Sequence, residues 1–181
     1  MEVHSPGLRV YLKQLDLTDA EEFAHQINDP VIARNVSSPG NIIPYPYTKE
    51  DALFFIDALK REYASGISVS FGIRAVENNL FVGSAGIGEI DAIKKQCLIV
   101  YWLGRQHWRQ SYGTETLRLL LAYGFEKLGL IKISAEVDPD NTGSIALLRS
   151  LEFEQERFDN IMRFGIKRHD YINPLKIKVD L

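Results

Sequence analysis

The fold is decided by the stretch LGRQHWRQSYGTE, which runs from Leu103 to Glu115. An apolar segment precedes it, and residues with helical spacing follow it: Leu117, Leu120, Leu121, Phe125 and Leu128, closed by Gly129. Backbone N–H groups from Arg109 to Thr114 should therefore point out of a helix N-terminus, where the helix dipole favours an anion such as a pyrophosphate. Gly113 permits close approach to the backbone. The same pattern also fits an ordinary strand-to-helix turn.

Apolar segments upstream of this stretch predict a small sheet. Residues 68–76, 80–90 and 96–104 are rich in Val, Ile, Phe and Tyr, and polar turns separate them. We predict an antiparallel meander. Cys97, in the third segment, is the only cysteine, so it forms no internal disulfide or thiolate metal cluster, and we expect a buried apolar side chain.

A second strand and helix follow the first pair with matching spacing. The segment IKISAEVDPDN, 131–141, reads as a strand, and NTGSIALLRSLEF, 141–153, reads as a helix that Asn141 caps. The tail from Arg163 to Lys178 predicts a final strand with its charges facing solvent.

Helix signals dominate the N-terminal part, after a short predicted strand over residues 8–13. A T-x-x-E capping box from Thr18 to Glu21 predicts a helix through about Asn28, ended by Pro30. Thr48 and Asp51 form a second cap before an apolar helical face: Ala52, Phe55, Ile56, Leu59 and Tyr63.

Composition limits the classes of function. With 181 residues and 45% hydrophobic content we expect one domain, 1–181, and the formal net charge of -3 disfavours direct nucleic-acid binding. No apolar run approaches the roughly 20 residues needed to span a bilayer, and the start lacks a signal-peptide pattern, so we expect no membrane partner and a cytoplasmic protein. The four histidines lack metal-ligand spacing, so no metal site is expected: His4, His25, His107 and His169.

Taken together, several motifs make the chain resemble the GNAT superfamily of N-acetyltransferases, in its RimJ/RimL-like branch. The resemblance covers nearly the whole chain and rests on these residues: Pro44-Tyr45-Pro46-Tyr47-Thr48, Tyr101-Trp102-Leu103, Trp108 through Glu115, Phe125-Glu126, and Asp138-Pro139 leading to Asn141 and Ser144. It implies an α/β (α+β) fold in which a twisted, mostly antiparallel mixed sheet splays at the cofactor cleft, with helices on both faces.

The resemblance also implies a site for acetyl-CoA, in the opening between the strand ending near Leu103 and the strand carrying Glu136. Main-chain groups of Leu103 would bond the pantetheine arm. Asn141 would meet the pantetheine or the acetyl end, and Ser144 would lie near the sulfur as a donor of a proton or hydrogen bond. Without the resemblance, helix capping alone would explain both polar residues. The pyrophosphate would lie on the loop formed by Trp108, Arg109, Gln110, Ser111, Tyr112, Gly113 and Thr114.

The chain departs from the family pattern at several positions. Arg109 and Ser111 replace loop glycines, which reduces the freedom to adopt positive φ; the Arg109 side chain either compensates by bringing a cation to the phosphates or is simply solvated. Leu148 stands where many members have a tyrosine that acts as the general acid, so the role of general acid passes to Ser144. Glu152 stands where a glycine usually closes the helix; a left-handed conformation there would cost on the order of 1 kcal/mol.

The acceptor amine must be neutral in order to attack. An α-amino group, with a pKa of about 7.7–8.0, needs less help than a lysine at about 10.4. Glu89 and Glu136 are the candidate bases, and each also fits a solvated strand residue. Tyr45 and Tyr47 either line the acceptor entrance or pack their loop on the sheet.

Two functions are compatible with the sequence. The first is an N-acetyltransferase that moves acetyl from acetyl-CoA to a primary amine by direct attack in a ternary complex. The acceptor would be a protein N-terminal α-amine, as in ribosomal-protein-like substrates, or a small-molecule amine. The second is a non-catalytic GNAT-fold module that binds CoA or a protein. A monomer and a homodimer both fit the resemblance.

Overall fold

A nine-stranded sheet organises the described part of the chain. The computed structural model describes residues 1–37, 42–158 and 160–180. The strands are β1 (Glu2–His4), β2 (Val10–Gln14), β3 (Val69–Ala75), β4 (Phe81–Asp91), β5 (Gln96–Leu103), β6 (Lys132–Val137), β7 (Glu154–Phe158), β8 (Met162–Lys167) and β9 (Lys178–Asp180). The α-helices are α1 (Ala20–Ile27), α2 (Pro30–Val36), α3 (Lys49–Ala64), α4 (Tyr112–Ala122) and α5 (Thr142–Ser150).

The sheet is mixed, with the strand order β7-β8-β6-β5-β4-β3-β2-β1-β9. Only β5 and β6 pair in parallel among the described strands, and the other neighbours pair antiparallel. The predicted meander of β3, β4 and β5 is therefore confirmed, as is the mostly antiparallel mixed sheet.

Helices cover both faces of the sheet, which confirms that part of the expected fold class. On one face α1, α2 and α3 bury side chains such as Phe23 and Ile56 against Phe81 of β4. On the other face α4 and α5 bury Leu120 and Leu148 against the strands. The turn Tyr123–Lys127 extends α4 with π-helical hydrogen bonding, and Gly129 closes it at φ 66°.

Of the two predicted capping boxes, one is confirmed and one is wrong. The box of Thr48 and Asp51 opens α3 as predicted. The first box is not the one from Thr18 to Glu21: Asp16 and Asp19 form it, around a 3-10 turn that leads into α1. Pro30 does not end the first helix. It is the first residue of α2, where the Asp29 carboxylate caps the helix by accepting the N–H groups of Val31 and Ile32 at 2.8 and 3.3 Å.

The C-terminal segment also differs from its prediction. Instead of one strand from Arg163 to Lys178, β8 ends at Lys167 and an irregular segment leads to β9. Tyr171 anchors that segment, since its ring packs 5.0 Å from the ring of Phe125. Cys97 is buried as predicted, and burial raises the pKa of its thiol to about 12.

Glu152 ends α5 in a left-handed conformation, with φ 63°. We expect Glu152→Gly to raise the free energy of unfolding by about 0.5–1 kcal/mol, because glycine adopts this conformation without a Cβ clash and loses part of that gain to its unfolded-state entropy. Urea denaturation of both proteins measures this. The matched change Glu154→Gly, in β7, should be destabilising. Equal effects at the two positions would contradict the prediction.

Candidate active site

The sheet splays between β5 and β6, as the resemblance implied. Their parallel ladder runs from Gln96 opposite Lys132 to Ile99 opposite Ala135 and then stops. Beyond it, β5 stays paired with β4 as far as Leu103, while β6 stays paired with β8 through Val137. Each strand therefore follows its outer neighbour, and a cleft opens between the last residues of the two.

The backbone of β5 presents hydrogen-bonding groups to this cleft. The N–H of Gly104 donates to the carbonyl of Val82 at 2.9 Å. Because neighbouring residues of a strand bond to opposite sides, the main-chain groups of Tyr101 and Leu103 face away from β4, into the cleft. The Leu103 carbonyl accepts the indole N–H of Trp108 at 2.9 Å, which leaves the Leu103 N–H for a ligand.

The loop before α4 has the geometry of an anion site. Arg109 and Ser111 adopt φ of 58° and 64°. Both therefore take the left-handed conformation, which is less favourable for these residues than for the glycines usual in the family. The first helical bond runs from the N–H of Glu115 to the carbonyl of Ser111, at 3.1 Å. Within the described residues, no backbone N–H from Arg109 to Thr114 donates to a protein group. These N–H groups lie at the start of α4, where unpaired N–H groups and the helix dipole favour an anion.

Arg9 holds this loop in place, a role that the sequence did not indicate. Its Nη2 donates to the carbonyl of Gln110, its Nε donates to the Glu115 carboxylate at 3.2 Å, and its guanidinium lies 5.4 Å from the Tyr112 ring centre. Glu115 is buried and also accepts the N–H groups of Arg9 and Val10, at 2.7 and 3.3 Å. The loop is thereby tied to β2.

The polar start of α5 faces the cleft. The Asn141 side chain accepts the N–H of Ser144 at 3.1 Å, which confirms it as the helix cap. The Ser144 side chain is half-buried beside Tyr101, whose hydroxyl is inaccessible to solvent and has no hydrogen-bond partner among the described residues. Burial raises the pKa of Tyr101 to about 12, and Ser144 opposes part of that rise. Leu148 is fully buried in the core.

The two predicted bases lie in different places. Glu89 is exposed at the irregular end of β4, beyond Gly88, which pairs with Leu98 where β5 is still joined to β6. The structure does not bring it to the cleft. Glu136 follows Ala135, the last residue of β6 that pairs with β5, and its carboxylate accepts a hydrogen bond from Arg163 Nη2 at 2.6 Å.

The tyrosines before α3 separate into an exposed and a buried residue. Tyr45 is 60% exposed, whereas Tyr47 is 5% exposed and packs 6.0 Å from the Phe23 ring. Of the two alternatives for Tyr47, packing is the one that the structure shows. His107, beside the loop, is also buried, and burial lowers the pKa of its imidazole.

Among the described residues, no group of three or more His, Cys, Asp or Glu side chains is arranged to hold a metal ion. None of the described helices is both long and apolar enough to cross a membrane.

A cleft between diverging strands, beside a helix N-terminus whose backbone N–H groups have no protein acceptor, suits a substrate that carries a phosphate group. The model of the GNAT acetyltransferase domain matches residues 9–154, and the chain belongs to that family. An N-acetyltransferase of Bacillus licheniformis called p20, itself uncharacterized, is 33% identical over 150 residues, which cover 82% of this chain and 80% of the relative. The chain is thus an acetyl-CoA-dependent N-acetyltransferase.

Two solved structures show the same fold. RimJ of Mycobacterium smegmatis, in complex with CoA-disulfide, has a TM-score of 0.82 at 20% identity, covering 94% of this chain and 87% of that one. RimL, the ribosomal L7/L12 α-N-protein acetyltransferase in complex with coenzyme A, has a TM-score of 0.79 at 14% identity, covering 93% of this chain and 99% of that one.

Proposed function

We propose that the chain transfers acetyl from acetyl-CoA to the α-amine of a protein N-terminus, by direct attack in a ternary complex. The observation that carries the proposal is the cleft between β5 and β6, with free N–H donors at its edge. The RimL neighbour, which acts on a protein α-amine, supports this acceptor class.

The residues at the cleft suit the parts of acetyl-CoA. The N–H groups from Arg109 to Thr114 suit the pyrophosphate, and the N–H of Leu103 suits an amide of the pantetheine arm. At neutral pH His107 adds no charge to the loop, because burial lowers its pKa. Arg109 is therefore the cation that the loop itself offers.

Acetyl-CoA supplies a thioester: the amine nitrogen bonds to its carbonyl carbon, the carbon–sulfur bond breaks with its electron pair on sulfur, and the sulfur is finally protonated. Ser144 donates a hydrogen bond to that sulfur as negative charge develops on it. We assign Glu136, rather than Glu89, as the acceptor of the amine proton through water, because Glu136 lies at the cleft.

Charges near the cleft favour an α-amine over a polyamine. A polyamine carries several cations and needs several carboxylates that have no other partner. Here Glu136 is bonded to Arg163, and Asp140, after β6, lies 3.9 Å from Arg34. The cleft is also open, since Val100 of β5 is 58% exposed. A flexible peptide terminus suits such a site.

Calorimetry with acetyl-CoA and a thiol-release assay over a panel of amines test the proposal. The panel contains a peptide with a free N-terminus, the same peptide with a blocked N-terminus and a free lysine, and spermidine. We expect binding and turnover with the free N-terminus. Turnover with spermidine alone would refute the acceptor class, and absence of acetyl-CoA binding would favour the non-catalytic module.

Arg109 and Ser111 provide a matched pair of loop variants. Both have positive φ, so glycine relieves similar strain at each, but only Arg109 carries charge. We expect Arg109→Gly to weaken CoA binding by about three- to tenfold at low salt and to reduce its salt dependence. Ser111→Gly should not weaken binding. Calorimetry at two salt concentrations measures both, and equal losses would show that Arg109 contributes no charge effect.

A further inference from the structure

The Tyr101 hydroxyl is a buried donor without an assigned role. It has no hydrogen-bond partner among the described residues, although an unmade hydrogen bond in a protein interior is costly. Tyr101 lies on β5 two residues after Ile99, where the ladder to β6 ends, so it stands at the start of the cleft. Strand alternation places its side chain on the same face as Leu103, which packs against the core beneath α4 and α5.

Ser144 approaches Tyr101 from the opposite side of the cleft. It lies one helical turn before Leu148, which is fully buried in the same core, so both side chains point inward from α5. Only the Ser144 N–H is used in the helix cap, by Asn141, and the Ser144 hydroxyl stays available for other bonds. Hydrogen bonds at catalytic sites are often poorly aligned before substrates bind.

We infer that Tyr101 is a positioning residue, whose hydroxyl donates a hydrogen bond to the Ser144 oxygen and so directs the Ser144 hydrogen toward the CoA sulfur. The inference rests on the proposed function. Neither hydroxyl gives up its proton: as the carbon–sulfur bond breaks, its electron pair moves to sulfur and Ser144 stabilises the charge by a hydrogen bond. The sulfur is then protonated by the proton that the amine has released to water.

Two hydroxyls in series have a chemical advantage over one. A serine hydroxyl that accepts a hydrogen bond is polarised and becomes a stronger donor. Leu148 cannot donate a hydrogen bond to the sulfur. The pair of hydroxyls, Tyr101 on β5 and Ser144 on α5, supplies that donor instead.

A Tyr101→Phe variant tests the inference in two ways. In the complex with CoA, the thiolate absorbance is titrated against pH, and we expect the acid dissociation constant of the bound thiol to fall about tenfold in the variant. In the thiol-release assay we expect kcat to fall about tenfold with little change in the KM for acetyl-CoA. The variant should be at least as stable as wild type, because it loses a hydroxyl that has no partner in the described structure.

A double-mutant cycle and a matched control complete the test. Tyr101→Phe should have no further effect on kcat in a Ser144→Ala background, since it acts through that hydroxyl. Tyr123→Phe removes another buried phenol, 3.5 Å from the Met1 sulfur, and should change neither quantity.

Unchanged thiol acidity in Tyr101→Phe, or a further loss in the double variant, would overturn the inference. If wild type turned over no amine but Tyr101 still controlled thiol acidity, the proposed function would fail and the inference would stand. Absence of CoA binding by wild type would overturn both.

Discussion

Arg74→Ala should lower the free energy of unfolding by about 3–5 kcal/mol, the cost expected when one partner of a buried ion pair is removed. The Arg74 side chain is 7% exposed, and its Nη2 bonds the carboxylates of Asp19 at 2.6 Å and Glu22 at 2.9 Å. Its Nη1 donates to the carbonyl of Asn79 at 2.7 Å. Without the guanidinium, the Asp19 carboxylate, which is 5% exposed, would remain buried without its cation.

Chemical denaturation followed by far-ultraviolet circular dichroism measures this loss. Arg61→Ala is the matched control, because Arg61 pairs with Asp57 at 3.0 Å but its side chain is 66% exposed. An exposed helical pair of this kind contributes about 0.3–0.5 kcal/mol. If the two variants lost similar stability, the burial of Arg74 would not be what makes its ion pair important.

The same ion pair illustrates what a sequence can and cannot predict. Local patterns predicted β3, β4 and β5, the cap at Thr48 and the cap at Asn141, because each depends on residues only a few positions apart. The bond from Arg74 to Asp19 joins residues 55 positions apart, and the bond from Arg9 to Glu115 spans 106. Charged residues at such separations have many alternative partners until the sheet has brought their strands together.

Some errors came from local patterns that have two solutions. Asp16 and Thr18 can both cap a helix, and the structure uses the earlier residue, whose partner in the box, Asp19, is buried against Arg74. Proline after Asp29 fits either the end of α1 or the first turn of α2. Arg109 and Ser111 show the reverse case: residues with a poor propensity for positive φ adopt it in a loop that Arg9 ties to β2.

The candidate site was predictable from family motifs more than from chemistry. Motif matching placed Leu103, the loop and Asn141 at one cleft, where the structure also has them. It included Tyr101 in a family motif but gave it no role at the site, because an aromatic residue in an apolar strand looks like core and the sequence does not show that its hydroxyl is buried without a partner. It proposed Glu89 from strand position alone, and the position of the splay decides against it.

Ser144→Ala should lower kcat about a hundredfold, the typical loss when one donor to a developing charge is removed. CoA affinity should change less than about twofold, because the donor acts on charge that develops only as the carbon–sulfur bond breaks. The helix should remain intact, since the Asn141 cap uses the Ser144 N–H, which alanine retains. Single-turnover thiol release and calorimetry on the same preparations separate the two quantities.

Ser150→Ala controls for the loss of a serine from α5, because its hydroxyl donates to the Leu147 carbonyl at 2.7 Å at the exposed end of the helix. It should leave kcat unchanged. A Ser144→Ala variant that weakened CoA binding and kept kcat would make Ser144 a ground-state contact. A hundredfold loss in kcat alone instead places Ser144 at the sulfur in the transition state.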